Sequence, residues 1–254
     1  TWTGDDLVRL ILEQPETSRF IAHKLFEYFA YLDPDKATTD SLAAVLMNRQ
    51  YALEPMLKNL FLSEEFYSGR AMGKQIKSPV ELMVGLLRDL GTKPLVSWQP
   101  IEKPLPKSDG SSLVVDRSLT SYETLDKALQ QMGMQLMEPP DVKGWRYGRQ
   151  WIDSQRMFVR YNAGASLIDA IGQQGVDVVG LIQAGGCQNG AEAVDYLAKA
   201  CLARPLDAEK RKELITHLGE LPPYKEWASQ QPELNVKLRS LLMLMLCVPE
   251  HQMS

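Results

Sequence analysis

The stretch KSPVELMVGLLRDLG, residues 77–91, contains the clearest helix signal in the chain. Ser78 can accept a hydrogen bond from the backbone of Glu81, and the Glu81 carboxylate can accept one from the backbone of Ser78, which together form a capping box. Pro79 suits the first position of a helix, and Gly91 suits the position just after a helix end. The stretch therefore predicts a helix that begins at Pro79 and ends before Gly91.

The same helical periodicity covers almost all of the chain on both sides of residues 77–91. Apolar residues recur at spacings of three and four, as they do on one face of an α-helix. Asn189 and Asp207 stand where side chains cap two later helices, and the last helix is expected to begin near Pro232. Residues 175–186 fit either a short strand or a helix. The sequence therefore predicts an all-α, globular multi-helix domain of about ten helices.

Two irregular stretches interrupt the predicted helices. Residues 92–117 and 134–152 are rich in proline or glycine, and we interpret both as long loops. Residues 92–117 also fit a hinge between two helical layers. A loop of that length is uncommon inside a compact domain, so we expect the 92–117 stretch to be functional or mobile. We predict a helical core over residues 1–172 and a C-terminal helical segment over residues 173–254, packed on the same core.

The composition excludes several classes of protein. Of the 254 residues, 44% are hydrophobic and 24% are charged, as is usual for a globular protein. The net charge of −4 argues against nucleic-acid binding, because nucleic-acid-binding proteins usually carry a basic surplus. No apolar run reaches the length of about 18 residues that a membrane span requires. Residues 1–6 show neither the basic region nor the apolar region of a signal peptide.

Residues that could carry chemistry are few and scattered. The isolated histidines His23, His217 and His251 have no His or Cys at ligand spacing on the same predicted helix face, so we expect no metal site and no cofactor. Cys187 precedes a predicted helix, where a thiol can become a nucleophile, although an inert or disulfide-bonded cysteine is the simpler interpretation. A helix of about 12 residues between Cys187 and Cys201 would hold them about 18 Å apart, which is too far for a disulfide between these two.

The segment EPPDVKGWRYGRQWIDS, residues 138–154, is the most unusual in the chain. Its aromatic residues and three cations suit an anionic or sugar-like ligand, which ring stacking and cation pairing would bind. The segment also suits an ordered loop whose tryptophans enter the helical core. Because no paired carboxylates or histidine lie nearby, the structural interpretation is favoured. We expect the Trp145 ring to be largely buried against a helix that begins near Asp153.

The same segment resembles a known bacterial family, the domain of unknown function 1800 family. Three stretches are similar to its PPNVKGW, W(I/L)NS and R.NF motifs: PPDVKGW at 139–145, WIDS at 151–154 and RYN at 160–162. Three earlier stretches also resemble motifs of the family: PETSRFIAHKL at 15–25, LFLSEEF at 60–66 and KSPVEL at 77–82. The resemblance is to the C-terminal half of these longer proteins.

Two departures from the family pattern affect any ligand role. Asp141 and Asp153 stand where the family has asparagine, so an anion that only accepts hydrogen bonds replaces an amide that donates and accepts them. The family has no established activity. The resemblance implies a bacterial, mainly helical protein that is exported to the periplasm or cell surface. It also implies a partner, a secreted sulfatase-like protein that is often encoded nearby.

We consider two functions from different classes. The first is an exported helical interaction or scaffold module. The alternative is part of an enzyme, or an accessory subunit, that acts on an anionic or polysaccharide substrate through the 139–154 loop. The candidate ligand-binding residues combine cations, aromatic rings and polar groups of the family motifs: Lys77, Glu81, Lys143, Trp145, Arg146, Trp151, Ser154, Arg160 and Asn162. The enzyme interpretation requires one cleft with carboxylates inside it, lined by Lys77, Glu81, Lys143, Trp145, Trp151 and Arg160.

Overall fold

The all-α fold predicted from the sequence is confirmed by the computed structural model, which describes residues 2–91, 105–106, 112–113, 125–170 and 176–254. These residues form eleven α-helices: α1 (Gly4–Leu12), α2 (Pro15–Phe29), α3 (Lys36–Asn48), α4 (Leu53–Phe61), α5 (Pro79–Asp89), α6 (125–131), α7 (Ser154–Ala170), α8 (Val178–Ala184), α9 (Gly190–Cys201), α10 (Ala208–Leu218) and α11 (Gln231–Leu246). None of them is long and apolar enough to cross a membrane.

Two very short strands are the described part of the predicted 92–117 loop. The strands β1 (Leu105–Pro106) and β2 (Ser112–Leu113) pair antiparallel, with Leu105 opposite Leu113 and Pro106 opposite Ser112. The other residues from 92 to 117 lie outside the described part of the chain. The second predicted loop, at 134–152, is described throughout and ends in a 3₁₀ turn over Gly148–Trp151.

The chain divides into two compact units. The N-terminal unit comprises residues 1–75 together with Ser254, and the C-terminal unit comprises residues 76–253. Helices α7 and α11 lie on opposite sides of the boundary predicted at residue 172, and they pack together inside the C-terminal unit. The division into 1–172 and 173–254 stays a prediction.

The core of the N-terminal unit is formed by α2, α3 and α4. Helix α2 packs on α3, and α3 packs on α4. The side chains that these helices bury include Phe26, Leu46, Met56 and Leu60. By contrast, α1 has no buried residue, and its apolar side chains Leu7, Val8, Leu10 and Ile11 are exposed.

Helix α11 organises the core of the C-terminal unit, because it contacts α7, α8, α9 and α10. Its sequence buries apolar residues at helical spacing: Leu234, Leu238, Leu241, Leu242, Met245 and Leu246. Helix α7 comes close to α11 at Gly164, where an added Cβ would lie 2.9 Å from the Leu246 Cδ1 atom. A larger residue at Gly164 would therefore require the Leu246 side chain to move.

Side-chain caps set the helix starts that the sequence predicted. The Ser78 hydroxyl accepts a hydrogen bond from the Glu81 N–H at 3.2 Å, and the Glu81 carboxylate accepts one from the Ser78 N–H at 2.7 Å. Asn189 and Asp207 cap α9 and α10 as predicted. The ambiguous stretch 175–186 contains helix α8, whose first turn is capped by the Asp177 carboxylate.

Removing the Ser78 hydroxyl tests the capping box. We expect Ser78→Ala to lower the free energy of unfolding by about 0.5–2 kcal/mol, because an N-terminal N–H of α5 loses its acceptor. Ser166→Ala, at an exposed position inside α7, is a matched control that should change stability by less than about 0.5 kcal/mol. Urea denaturation measures both. Equal midpoints for Ser78→Ala and the wild type would refute the capping role.

Candidate functional site

The 134–152 loop is anchored at its end by Trp151. This residue is only 4% exposed and closes the 3₁₀ turn Gly148–Trp151, immediately before α7. An indole is among the largest apolar groups that a protein can bury, so it fixes the end of the loop firmly. The predicted ordered loop with a tryptophan in the core is thus present, and Trp151 supplies the ring.

Trp145 stabilises the loop through a hydrogen bond of its indole group. Its ring is half-buried, and its Nε1 donates a hydrogen bond to the Gln135 carbonyl oxygen at 3.0 Å. The packing of a largely buried Trp145 ring against α7 stays a prediction. The acceptor of the indole N–H lies within the same loop, so Trp145 stabilises the loop internally. Trp151 attaches the end of the loop to the core.

Asp153 and Arg156 connect the loop to the start of α7. Asp153 Oδ1 accepts a hydrogen bond from the Arg156 N–H at 2.8 Å, and its Oδ2 accepts one from Arg156 Nη1 at 2.6 Å. Arg156 Nη1 also donates to the Gln150 carbonyl at 3.1 Å. The guanidinium lies over Gly133, where an added Cβ would be 3.1 Å from Arg156 Nε. Both Asp153 oxygens thus act as acceptors, so an aspartate serves this position well.

Asp141, the second departure from the family pattern, has a similar local role. Its Oδ1 accepts a hydrogen bond from the Lys143 N–H at 2.8 Å, and its carbonyl accepts one from the Gly144 N–H at 3.1 Å. The turn needs acceptors only, and a carboxylate provides them. At both positions the acidic side chain holds the backbone of the loop.

The anchored segment presents apolar and cationic side chains to solvent. Met137 is 89% exposed, Phe158 is 71% exposed, and Val142 is completely exposed. The exposed side chains that we call the 137–158 surface are Met137, Val142, Lys143, Arg146, Tyr147, Arg149, Ile152 and Phe158. Within the described part of the chain, its three cations form no ion pair with a carboxylate.

Two other predicted site residues belong to α7. Ser154 is exposed at the start of this helix, and Asn162 donates a hydrogen bond to the Phe158 carbonyl one turn earlier.

Arg160 is the most deeply buried of the predicted site residues. It is 1% exposed; its Nε donates to Gln252 Oε1 at 2.7 Å, and its Nη2 donates to the Lys77 carbonyl oxygen at 2.8 Å. Its Nη1 is buried and has no hydrogen-bond partner among the described residues. Burial lowers the pKa of the Arg160 guanidinium to about 10. Both acceptors are neutral, so the charge has no paired carboxylate.

The structure thus brings Arg160 and Lys77 together. Burial lowers the pKa of the half-buried Lys77 ammonium, and burial raises the pKa of the Asp89 carboxyl near it. Glu81 is exposed and its carboxylate serves the capping box. No hydrogen bond or ion pair between described residues joins the Lys77 region to the cations of the 137–158 surface.

Sequence reasoning missed Gln252 and saw His251 only as an isolated histidine. His251 is 2% exposed, and its Nδ1 lies 3.0 Å from the Cys201 carbonyl oxygen. Burial, opposed by this hydrogen bond and reinforced by Lys77 and Arg160, lowers the pKa of His251 to about 4. A buried arginine must find acceptors, but nothing in the spacing of the sequence indicates which distant residue supplies them.

The thiols are poorly placed for nucleophilic chemistry. Burial raises the pKa of the Cys187 thiol, and Cys187 Sγ donates to the Glu192 carbonyl at 3.5 Å. Burial raises the pKa of Cys201 to about 12. Helix α9 begins after Cys187 and ends at Cys201, so it separates the two cysteines as predicted, and all three cysteines are free. Because the thiolate is the reactive form, Cys187 fits the inert interpretation.

Alanine substitutions of Trp151 and Trp145 test how much each residue stabilises the loop. Trp151→Ala should lower the free energy of unfolding by about 3–5 kcal/mol, because it empties a buried aromatic site. Trp145→Ala should cost about 1–2 kcal/mol, from one hydrogen bond and partial burial. Urea denaturation compares the two variants. A larger loss for Trp145→Ala would show that Trp145 is the principal anchor.

His251 should make the protein less stable in acid. Its pKa is about 4 in the folded state and about 6.5 in an unfolded chain. As the pH falls, the unfolded state therefore binds the proton first, and stability is lost between about pH 6.5 and pH 4, by about 3 kcal/mol in total.

His251→Asn keeps a donor for the Cys201 carbonyl and removes the titration, so stability should fall less between pH 7 and pH 4 than in the wild type. His217→Asn, at an exposed histidine, should keep the wild-type pH dependence. Denaturation at a series of pH values measures the difference. Identical pH profiles for His251→Asn and the wild type would contradict the assignment.

Comparison with known proteins identifies a family but no activity. The model of the family described as "Protein of unknown function (DUF1800)" matches residues 1–253, which is nearly the whole chain. The match extends past residue 170, where the sequence motifs are sparse. No curated protein and no solved structure shows significant similarity to the chain.

Proposed function

We propose, from the premise that the chain belongs to the DUF1800 family, that it is an exported bacterial helical module that binds a protein partner through the 137–158 surface. The resemblance suggests a secreted sulfatase-like protein as that partner, with the complex in the periplasm or at the cell surface. The function of the family is unknown, so the proposal depends on the chemistry of this surface.

The observation that carries the proposal is an anchored loop with exposed apolar side chains. Trp151 is buried, while Met137, Val142 and Phe158 are largely exposed to water. Fully burying one such side chain contributes about 1.5–3 kcal/mol. Because the backbone of the loop is already held by hydrogen bonds from Trp145 and Arg156, a partner would lose little free energy in ordering it.

Charge favours a partner that is acidic where it meets this surface. Lys143, Arg146 and Arg149 are exposed and pair with no described carboxylate, although the whole chain carries a net charge of −4. Exposed cations around apolar side chains would steer an acidic partner and suppress a basic one. The enzyme alternative has no comparable support, since the nine candidate residues form no common constellation among the described residues.

A matched pair of valine substitutions tests the surface. Val142→Asp should weaken binding to a secreted sulfatase-like protein of the same bacterium by at least about tenfold, because it places a charge in an apolar contact. Val236→Asp changes an exposed valine of α11 in the same unit and should bind like the wild type. Both should fold with nearly unchanged stability. Calorimetric titration with purified proteins measures the affinities.

Salt dependence and location complete the test. Wild-type affinity should fall as salt is added, and less steeply for Arg146→Ala, because that variant lacks one of the steering charges.

Fractionation of the source bacterium should recover the protein outside the cytoplasm. Val142→Asp that binds as tightly as Val236→Asp, or a protein found only in the cytoplasm, would overturn the corresponding part of the proposal.

A further inference from the structure

Helix α1 presents an apolar face to water. Leu7, Leu10 and Ile11 follow the i, i+3, i+4 spacing that places side chains on one side of a helix, and Val8 extends this side. Leu7, Val8 and Ile11 are each at least half exposed, and the helix has no buried residue. An amphipathic helix with such anchors is a common means of binding a surface of another protein.

This helix is already held in its folded form at both ends. At its start, Thr3 and Asp6 form a capping box, in which the Thr3 N–H donates to Asp6 Oδ2 at 3.0 Å. At its end, the Tyr51 hydroxyl donates a hydrogen bond to the Leu12 carbonyl oxygen at 2.6 Å. A partner would therefore lose little free energy in ordering α1.

The charges of α1 are mainly acidic. Asp5, Asp6 and Glu13 are the acids among residues 2–13, and Arg9 is the one cation in that stretch of sequence. Arg9 already faces acids, because its Nη2 lies 3.1 Å from Asp6 Oδ1 and its Nε lies 4.0 Å from Glu13 Oε1. The surface that suits α1 is therefore apolar and basic.

The 137–158 surface has this complementary character. Its exposed side chains are apolar or cationic, and its three cations form no ion pair with a described carboxylate. The acids of the same segment already accept hydrogen bonds from neighbouring residues: Glu138, Asp141 and Asp153. The positive charge of this segment thus remains available to an acidic partner.

Charge selects between the ways in which two copies of the chain can meet. Two α1 helices would bring acids together, and two 137–158 surfaces would bring cations together, which is unfavourable in both cases. The pairing of α1 with the 137–158 surface matches apolar groups with apolar groups and acids with cations.

We infer that α1 of one copy of the chain binds the 137–158 surface of a second copy. The two parts belong to different compact units, residues 1–75 and residues 76–253, so the contact is heterologous, and each pair keeps one α1 and one surface for further copies. The inference rests on the proposed function in one respect, because both require the 137–158 surface to bind a protein. A second copy would compete there with the other partner.

Self-association of the full chain is the direct measurement. Sedimentation velocity at increasing protein concentration should show species larger than a monomer, and added sodium chloride should reduce them, because salt screens opposite charges. Val8→Asp places a charge in the apolar face of α1 and should raise the dissociation constant at least about tenfold. Val236→Asp, the same change at an exposed valine of α11, should associate like the wild type.

A mixture of two variants tests how the copies meet. Val8→Asp keeps the 137–158 surface and Val142→Asp keeps α1, so each alone should be a monomer where the wild type associates. Their equimolar mixture should form a one-to-one complex that does not grow further, because the remaining α1 and the remaining surface are both altered. Calorimetric titration of one variant into the other gives the dissociation constant.

Several results would overturn the inference. They are a wild-type chain that is still a monomer at about 1 mM, association that salt strengthens, Val8→Asp that associates as tightly as Val236→Asp, and Val142→Asp that associates without Val8→Asp.

The proposed function is tested separately. Val8→Asp should bind the sulfatase-like protein at least as tightly as the wild type does, because its 137–158 surface is unchanged. If Val142→Asp weakens that binding and leaves self-association unchanged, this inference fails and the proposed function stands. If Val142→Asp weakens self-association alone, the proposed partner is wrong and this inference stands.

Discussion

The buried guanidinium of Arg160 is the constraint on which the C-terminal unit depends. From α7 it reaches the Lys77 carbonyl just before α5 and the Gln252 side chain after α11. Gln252 in turn donates to the Leu246 carbonyl at the end of α11, and its own carbonyl accepts from the Lys77 N–H. Arg160 and Gln252 are buried and Lys77 is half-buried, so displacing one segment would leave buried donors of another unpaired. Helix α7 is therefore held in place by hydrogen bonds as well as by its packing on α11.

The same helix supports the 137–158 surface. Its first turn is capped by Asp153, and Arg156 on that turn donates a hydrogen bond to the Gln150 carbonyl of the loop. Trp151 enters the core immediately before the helix begins, so the residues on either side of it remain outside. Burial of one large ring thus lets the neighbouring side chains stay in water at a fixed position, which is what a preorganised binding surface requires.

The candidate site was only partly predictable. Family motifs pointed to Arg160 and Lys77, and the structure joins them. Of the two loop tryptophans, Trp151 is almost completely buried, and Trp145 is partly buried. Two tryptophans six residues apart offer similar apolar area, so the sequence has no basis for choosing between them. The degree of burial of each ring depends on tertiary packing, and the Trp145 N–H bonds to a carbonyl of its own loop. The sequence does not identify Gln252 as the partner of Arg160, because a neutral amide near the end of a helical chain forms no recognisable motif.

The sequence by itself determined the helices, because their signals are local. A cap, a first-turn proline or a repeat of three and four acts between residues within one or two turns, and Ser78 with Glu81 shows this directly. Only the tertiary structure decided the partners of Arg160, which lie 83 and 92 residues away. It also made residues 178–184 helical, where Asp177 caps the turn and accepts from Asn235 of α11. Contacts between distant segments depend on the packing of whole helices, and residue spacing does not encode that packing.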